Sequence, residues 1–379
     1  MAIKSQVLTT TNLPMYSIQT FLNNYILVAG GGGSSKTGIL NGFEIFKLSR
    51  DGKTVTLTRV IRYDSGPNVI MNCCTNYSGN KIYIAANENE KCRQYIADIV
   101  IEPTFQNGKA SKEINFKITT GDSLLTDFSE DEPLQRIVKV NNDGNMMVTG
   151  GADGCIRLWN FPIVKSKETN PLKTYEGHTK EIDDIDISCD GKFIVSVAKD
   201  GKAYHWNTLT DIRSALIHPI NDKQIFKRCK FGIISNKPIY NIYTIANGPR
   251  QKSYLQRWSE KNKILNELLF SEPTSALAVS KDGLYIAVGT MYSGSVSIHE
   301  ASNFKTVYNV NQAHAMFVTG LEFLNGNMTP DMKAAVLSIS VDNRVCLHSI
   351  PFIKLMPYWQ MFIIIHLIII LFYFIIFIM

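Results

Sequence analysis

One pattern, in which two Asp-Gly turns separate three short strands, occurs twice in close succession and limits what this chain can fold into. Residues 140–160 read VNNDGNMMVTGGADGCIRLWN, and residues 188–207 read SCDGKFIVSVAKDGKAYHWN. Apolar runs bounded by Asp-Gly are typical of short antiparallel strands joined by tight turns. A unit of this size cannot bury its own apolar face, so its copies must stack against one another.

Weaker copies of the unit cover most of the remaining chain. They lie at residues 28–48, 76–85, 240–258, 280–299 and 313–348. About seven units of ~45 residues fit the length that precedes the C-terminal segment. We therefore predict an all-β, seven-bladed WD-repeat β-propeller over residues 1–356, followed by a single C-terminal transmembrane helix.

The propeller interpretation also predicts places for individual residues. The first strand, Val7 to Leu13, should complete the last sheet and close the ring. Gly177-His178 matches the Gly-His that opens a WD repeat, and His314 has the same place in the last unit. The blade cores should contain Trp159, Trp206 and Trp258, and the structural Asp of the turn is expected among Glu181, Asp183, Asp184 and Asp186.

The C-terminal segment, residues 361–379, reads MFIIIHLIIILFYFIIFIM and carries no formal charge. A helix of this length spans about 28 Å, close to the hydrocarbon thickness of a bilayer. We expect a membrane anchor that is inserted after synthesis and leaves the N-terminal domain in the cytosol. His366 is either a functional intramembrane group or a tolerated neutral imidazole.

A glycine-rich stretch, AGGGGSSKTGILNG at residues 29–42, lies between two strand-like segments. Its first part, Gly30 to Thr37, approaches the phosphate-binding pattern G-x-x-x-x-G-K-[ST], but Ser35 replaces the second glycine. A phosphate cradle must also open a helix, whereas a strand pattern follows here. The stretch is therefore predicted to be a shaped loop on a rigid scaffold and not a nucleotide site.

Charge and cysteine content narrow the function classes. Ten Lys or Arg and one acid lie between Lys223 and Lys263, with aromatic residues among them. This basic stretch suits nucleic acid, anionic lipid headgroups or an ordinary solvated rim. The seven cysteines are irregularly spaced, which favours free thiols over disulfides or zinc. No catalytic constellation is recognisable, so no covalent chemistry is predicted.

The predicted propeller, the C-terminal anchor and the glycine-rich stretch together resemble the Sec-type guanine nucleotide exchange factors of the endoplasmic reticulum. Animal members of this family are called prolactin regulatory element-binding proteins. The resemblance implies a single-pass endoplasmic reticulum protein that loads GTP onto the Sar-family small GTPase and so initiates COPII coat assembly. It also implies that the first-blade loop is shaped by a potassium ion and enters the nucleotide site of the GTPase.

The same resemblance assigns roles within the loop. Ile39 and Asn41 match the family's exchange residues, and Leu40 stands where some fungal members have proline. Potassium would bind backbone carbonyls between Gly30 and Asn41. Asn41 is expected to be exposed, so that its replacement by alanine would change stability little. The residues implied to contact the GTPase are Gly30, Gly31, Gly32, Gly33, Ser34, Ser35, Lys36, Thr37, Gly38 and Leu40.

Two other functions stay open at this point. A propeller fold alone implies no activity, so the chain could be a non-catalytic WD-repeat scaffold at the membrane. It could also be a DNA-binding transcriptional regulator that uses the basic stretch between Lys223 and Lys263. The predicted anchor argues against the second function, and no nucleic acid is expected to bind the full-length chain.

Overall fold

The computed structural model describes residues 5–34, 38–52, 54–106, 109–164, 170–216, 224–234, 240–325 and 331–352, together with 362–363, 365–370 and 373. For residues 103–106 and 109–112 it describes the backbone alone. The described strands form seven four-stranded sheets, which we number as blades 1 to 7. The predicted seven-bladed, all-β propeller is therefore confirmed.

Each blade is built from strands that follow one another in the chain. Blade 1 contains β2 Met15–Phe21, β3 Tyr25–Gly30, β4 Asn41–Asp51 and β5 Thr54–Gly66; blade 2 contains β6 Cys73–Ser78, β7 Lys81–Glu88, β8 Lys91–Gln106 and β9 Lys109–Leu125; blade 3 contains β10 Gln135–Val140, β11 Met146–Gly151, β12 Ile156–Asn160 and β13 Lys173–Tyr175. Blade 4 contains β14 Ile182–Ile187, β15 Phe193–Ala198, β16 Ala203–Asn207 and β17 Arg213–Ala215; blade 5 contains β18 Ile225–Ile233, β19 Tyr240–Asn247, β20 Ser253–Trp258 and β21 Ile264–Phe270, with a short 3-10 turn at Pro249–Gln251. Blade 6 contains β22 Thr274–Val279, β23 Tyr285–Thr290, β24 Val296–Glu300 and β25 Thr306–Val310.

Blade 7 joins the two ends of the propeller. It contains β26 Val318–Phe323, β27 Met332–Ser340, β28 Arg344–Pro351 and, as its outer strand, β1 Gln6–Thr10. Strand β1 pairs antiparallel with β28, with Gln6 opposite Leu347 and Thr10 opposite Arg344. The ring closure expected from Val7 to Leu13 is thus confirmed, and Leu13 itself is fully buried.

The antiparallel strands define two faces of the ring. Neighbouring strands of every blade run in opposite directions. The loop face carries the connections between the second and third strands of each blade and the links between blades. The exit face carries all other turns, and β28 ends there. The loop between β3 and β4 therefore lies on the face opposite to the point where the chain leaves the propeller.

The blade cores explain the repeated Trp-Asn and Gly-His residues. Trp159 and Trp258 are fully buried and Trp206 nearly so, which confirms the expected core positions. In blade 4 the Trp206 indole and His178 Nε2 both lie 2.8 Å from Ser196 Oγ, and His178 Nδ1 lies 3.1 Å from Asp200. The structural Asp is thus Asp200 and not one of the acids at 181–186, because the Gly-His loop folds back onto the second turn of the blade.

Blade 7 repeats this network with a substitution. His314 Nε2 lies 2.7 Å from Ser338 Oγ, and its Nδ1 lies 3.1 Å from Asp342. His348 takes the place of the tryptophan, with Nε2 2.7 Å from Ser338 Oγ and Nδ1 2.9 Å from the Tyr308 hydroxyl. Burial, together with the neighbouring His314, lowers the pKa of His348 to about 3, so this imidazole is neutral in the folded protein.

The cysteines agree with the prediction of free thiols. All seven lie within the described residues and none forms a disulfide. Burial raises the pKa of Cys73 to about 11, which keeps its thiol protonated. In the described part of the chain, no cluster of His, Cys, Asp and Glu could hold a metal ion.

The C-terminal segment is described only in part. Residues 362–363, 365–370 and 373 have helical backbone, and His366 Nδ1 lies 3.0 Å from the Phe362 carbonyl. Among the described residues, no helix is long and apolar enough to cross a membrane. The anchor at 361–379 therefore stays a prediction.

Candidate functional site

The glycine loop, residues 30–41, connects β3 to β4 on the loop face of blade 1. Strand β4 begins at Asn41 directly after the loop, which confirms the predicted arrangement of strand, loop and strand. No helix begins there in the described residues, so the geometry required of a phosphate cradle is not met. The structure describes residues 30–34 and 38–41 of the loop, and Ser35, Lys36 and Thr37 lie outside the described residues.

Close packing explains the glycines at the base of the loop. A Cβ atom on Gly30 would lie 1.9 Å from the Pro14 carbonyl oxygen, and one on Gly31 would lie 2.2 Å from Asn41 Oδ1. The Gly31 amide donates to the Pro14 carbonyl at 3.0 Å. The base of the loop is thus held against the link between blades 7 and 1, where any larger residue would clash.

Asn41 holds the loop from the inside. Its side chain is 5 % exposed, so the expectation that it would be exposed is wrong. Its Oδ1 accepts from the Gly33 amide at 2.8 Å, and its Nδ2 donates to the carbonyls of Gly33 at 3.2 Å and Gly66 at 3.0 Å. The side chain turns inward because β4 already pairs with β5 at this residue. Gly33 meets it with a left-handed backbone, φ 76°, which favours glycine.

The apolar pair beside Asn41 points outward. Ile39 is 38 % exposed and Leu40 is 51 % exposed, and Ser34 and Gly38 are also exposed. Two adjacent aliphatic side chains in solvent, on a loop whose base is rigid, are suited to contact another protein. The described loop residues thus include a buried base, which contains Asn41, and an exposed apolar pair.

The potassium ion implied by the resemblance would have the backbone carbonyls of the glycine loop as ligands. Backbone carbonyls suit a weakly hydrated cation. One of them, the Gly33 carbonyl, already accepts from Asn41 Nδ2. This carbonyl keeps one lone pair for an ion, and further ligands would come from the other loop carbonyls. These oxygens have the right chemistry, and when bound the ion would stiffen the part of the loop above Asn41.

Exposed apolar residues that the sequence reasoning missed lie on the same face as the loop. Met71, in the link between blades 1 and 2, is 44 % exposed, and Phe128, between blades 2 and 3, is 52 % exposed. The Phe128 ring lies 4.6 Å from the Arg157 guanidinium carbon. The only signal in the sequence was an apolar residue within a link between two blades, which is too weak to select either residue.

The basic stretch between Lys223 and Lys263 does not form one surface. Lys227 and Lys230 pair with Asp183 at 3.0 Å and Asp186 at 3.3 Å, which joins blade 5 to blade 4. Arg257 donates to the Ser302 carbonyl of blade 6 at 2.7 Å. The exposed cations are divided, since Arg250 and Lys252 lie on the loop face whereas Lys261 and Lys263 lie on the exit face. Lys223 and Lys237 lie outside the described residues.

The central channel is a cavity of about 510 Å³. Its charged lining residues include Lys139, Asp184, Asp186, Lys230 and Glu322. Burial lowers the pKa of Lys230, but Asp186 and Asp184 outweigh it and the pKa is raised. Burial and the nearby Lys230 lower the pKa of Lys139. Burial raises the pKa of Glu322, although Thr20 donates to this carboxyl at 3.0 Å. Two of these groups join neighbouring blades: Lys230 pairs with Asp186 of blade 4, and Glu322 of blade 7 accepts a hydrogen bond from Thr20 of blade 1.

Comparison with known proteins agrees with the fold. The family described as WD domain, G-beta repeat matches residues 135–160 and 169–207. Guanine nucleotide-exchange factor SEC12 of Rattus norvegicus and of Mus musculus are each 26 % identical over 390 aligned residues, which cover 91 % of this chain and 91 % of each relative. SEC12-like protein 1 of Arabidopsis thaliana is 28 % identical over 50 % of this chain and 46 % of its own length. The predicted family resemblance is therefore confirmed: over most of its length, this chain is similar to the SEC12 guanine nucleotide-exchange factors.

Proposed function

We propose that this protein is a guanine nucleotide-exchange factor that promotes GDP release and GTP loading on the Sar-family small GTPase. The observation that carries the proposal is the glycine loop, which presents Ile39 and Leu40 to solvent above a base that Asn41 holds rigid. Similarity to the SEC12 exchange factors over 91 % of the chain supports the same activity. As the family resemblance of the sequence implies, the activity would initiate COPII coat assembly at the endoplasmic reticulum.

The proposed mechanism needs no covalent step. Ile39 and Leu40 would enter the nucleotide site of the GTPase as a wedge and displace the switch regions that hold the phosphates. Such a wedge promotes release only if the protein binds the nucleotide-free GTPase more tightly than the GDP-loaded form. Asn41 contributes by keeping the loop ordered before binding, because a loop that must be ordered on contact loses part of its binding free energy.

A nucleotide-release assay tests this proposal. Full-length protein in detergent would be added to a panel of small GTPases loaded with a fluorescent GDP analogue. We expect faster release from the Sar-type GTPase and no acceleration for unrelated members of the panel. Unchanged release from every GTPase would refute the exchange function and leave a non-catalytic scaffold as the better description.

Replacing Ile39 and Leu40 together by aspartate should slow GDP release at least about tenfold, because both apolar contacts at the centre of the interface are lost. The melting temperature should change little, since both side chains are exposed. The matched control replaces Leu265 and Leu269, which are 48 % and 51 % exposed on the outer strand of blade 5, by aspartate. If this control slows release as much as the loop variant, the effect is not specific to the glycine loop.

We further propose that residues 361–379 anchor the protein in the endoplasmic reticulum membrane and leave the propeller in the cytosol. The support is the uncharged apolar run itself, in which the described residues Ile368 and Ile370 are 60 % and 62 % exposed. Large apolar side chains exposed in such a run require either another protein or lipid to cover them. A run of this length and composition fits a bilayer.

Replacing Ile368 and Ile370 together by lysine should release the protein from membranes, because two central charges cost roughly 5–7 kcal/mol on the insertion scale. The measurement is sedimentation with membranes after a carbonate wash. A double replacement of the same residues by leucine is the control and should stay in the pellet. Retention of the lysine variant in washed membranes would contradict the anchor.

A further inference from the structure

We propose that the exit face of the propeller rests against the surface of the bilayer, so that the glycine loop points away from the membrane. This inference rests on the anchor proposed above, and it adds an interaction surface and an orientation to it. Three observations support it: the strand topology, the short length of the segment after β28, and the exposed side chains and two-stranded ribbon of the exit face.

The topology fixes which face the chain leaves from. Strand β28 runs from Arg344 on the loop face to Pro351 on the exit face, where Pro351 pairs with Met332 at the start of β27. The glycine loop begins at the other end of blade 1, where Gly30 pairs with Gly42. The apolar segment and the glycine loop are therefore separated by the full thickness of the propeller.

The segment between the propeller and the apolar run is too short to place that run beside the loop face. Residues 353–360 separate the propeller from the apolar run at Met361. Even fully extended, they span at most roughly 30 Å. A six-residue strand such as β26 is already about 20 Å long, and the turns at its two ends add to the thickness of the ring. If the segment passed around the rim, its full extended length would be needed to reach the loop face. The apolar run can begin at the exit face without such a path, because β28 ends there.

The exit face has side chains suited to a lipid interface. In the turn between β16 and β17, Leu209 and Ile212 are 69 % and 65 % exposed, and Phe352 after β28 is 53 % exposed. Exposed lysines occupy neighbouring turns, which suits anionic headgroups. Exposed acids also lie in these turns, among them Glu260 and Asp282, and Lys192 is paired with Asp190. The exposed lysines of the exit-face turns are Lys192, Lys261, Lys263, Lys281 and Lys305.

A two-stranded ribbon extends from the same face. Strand β8 pairs with β7 only as far as Asp98, and beyond that residue it pairs with β9 alone, from Ile99 opposite Phe116 to Gln106 opposite Lys109. Eight further residues of strand add about 26 Å, which is similar to the reach of the connecting segment. Ile101 on this ribbon is 59 % exposed. In the proposed orientation, this ribbon therefore lies on the side of the propeller that faces the bilayer.

Energy transfer from the propeller to the membrane tests the orientation. Full-length protein, with the half-buried Cys155 and Cys189 replaced by serine, would carry a donor dye on a cysteine introduced at one exposed position. The positions are Leu209 on the exit face and Tyr292 on the loop face, which are 69 % and 60 % exposed. The protein would be inserted from outside into vesicles of phosphatidylcholine and phosphatidylserine that carry a headgroup-linked acceptor.

We expect efficient transfer from Leu209→Cys and several-fold weaker transfer from Tyr292→Cys. Equal transfer, or stronger transfer from Tyr292→Cys, in protein that floats with the vesicles would overturn the orientation and leave the anchor intact. Protein that does not float with the vesicles would overturn the anchor and this inference with it. Neither result depends on GDP release, so the exchange function is tested separately.

Discussion

Replacing Asn41 by alanine should reduce the rate of GDP release from the Sar-type GTPase at least about tenfold and should also destabilise the propeller. The asparagine amide is buried and joins Gly33 to Gly66 through three hydrogen bonds. Its removal leaves the Gly33 amide and the Gly66 carbonyl without these partners, which costs roughly 1–3 kcal/mol of unfolding free energy. Without these hydrogen bonds the base of the glycine loop is no longer held in one conformation, so Ile39 and Leu40 are no longer held in a fixed position.

The decisive readout for Asn41 is local. Hydrogen exchange of the Gly33 amide should become faster in Asn41→Ala, while amides in blade 4 should exchange as in the wild type. Asn41→Asp is the matched variant. It keeps the acceptor for the Gly33 amide but places a second oxygen against two carbonyls, so it should also slow release. Full exchange activity with an unchanged melting temperature in Asn41→Ala would show that this asparagine has no role in the loop.

Acidification from about pH 7 to about pH 5 should lower the unfolding free energy by about 4 kcal/mol through two buried histidines. Burial lowers the pKa of His299 to about 4, and burial together with His314 lowers that of His348 to about 3. At pH 5 the unfolded chain binds a proton at each position, whereas the folded protein does not. The stability that neutral histidine provides is therefore lost as the pH falls below the unfolded pKa of about 6.5.

The measurement for this prediction is the urea midpoint at about pH 7, 6 and 5, converted with the slope of the unfolding curve. Carboxylates with lowered pKa, such as Asp200, should not contribute in this range, because they lose their contribution only at lower pH. A midpoint that is constant between pH 7 and pH 5 would mean that the two histidines are accessible to protons in the folded protein.

The blades could be predicted from the sequence because their signals are local. Asp-Gly turns and alternating apolar residues fix each strand, and the degenerate unit ending at Trp258 keeps enough of the pattern to form blade 5. Ring closure by residues 6–10 followed from the same logic, since an open propeller would leave an unpaired strand edge in blade 7.

The interior of the site could not be predicted in this way. The side-chain direction of Asn41 depends on where β4 begins to pair with β5 and on the position of Gly66, twenty-five residues away. The structural Asp200 was missed because its partner His178 is distant in sequence and meets it only when the blade folds. The length of the ribbon in blade 2 was also missed, since residues 99–106 show no repeat signal that distinguishes them from a loop.

The most direct test of the proposed exchange function is the relative affinity of this protein for two forms of the Sar-type GTPase, nucleotide-free and GDP-loaded. A protein that drives release through the glycine loop must prefer the nucleotide-free form, and we expect a preference of at least about a hundredfold, which corresponds to about 2.7 kcal/mol. The double variant of Ile39 and Leu40 to aspartate should lose most of that preference. Equal affinity of the wild-type protein for the two forms would contradict the account, because a partner that binds both forms equally cannot shift the equilibrium.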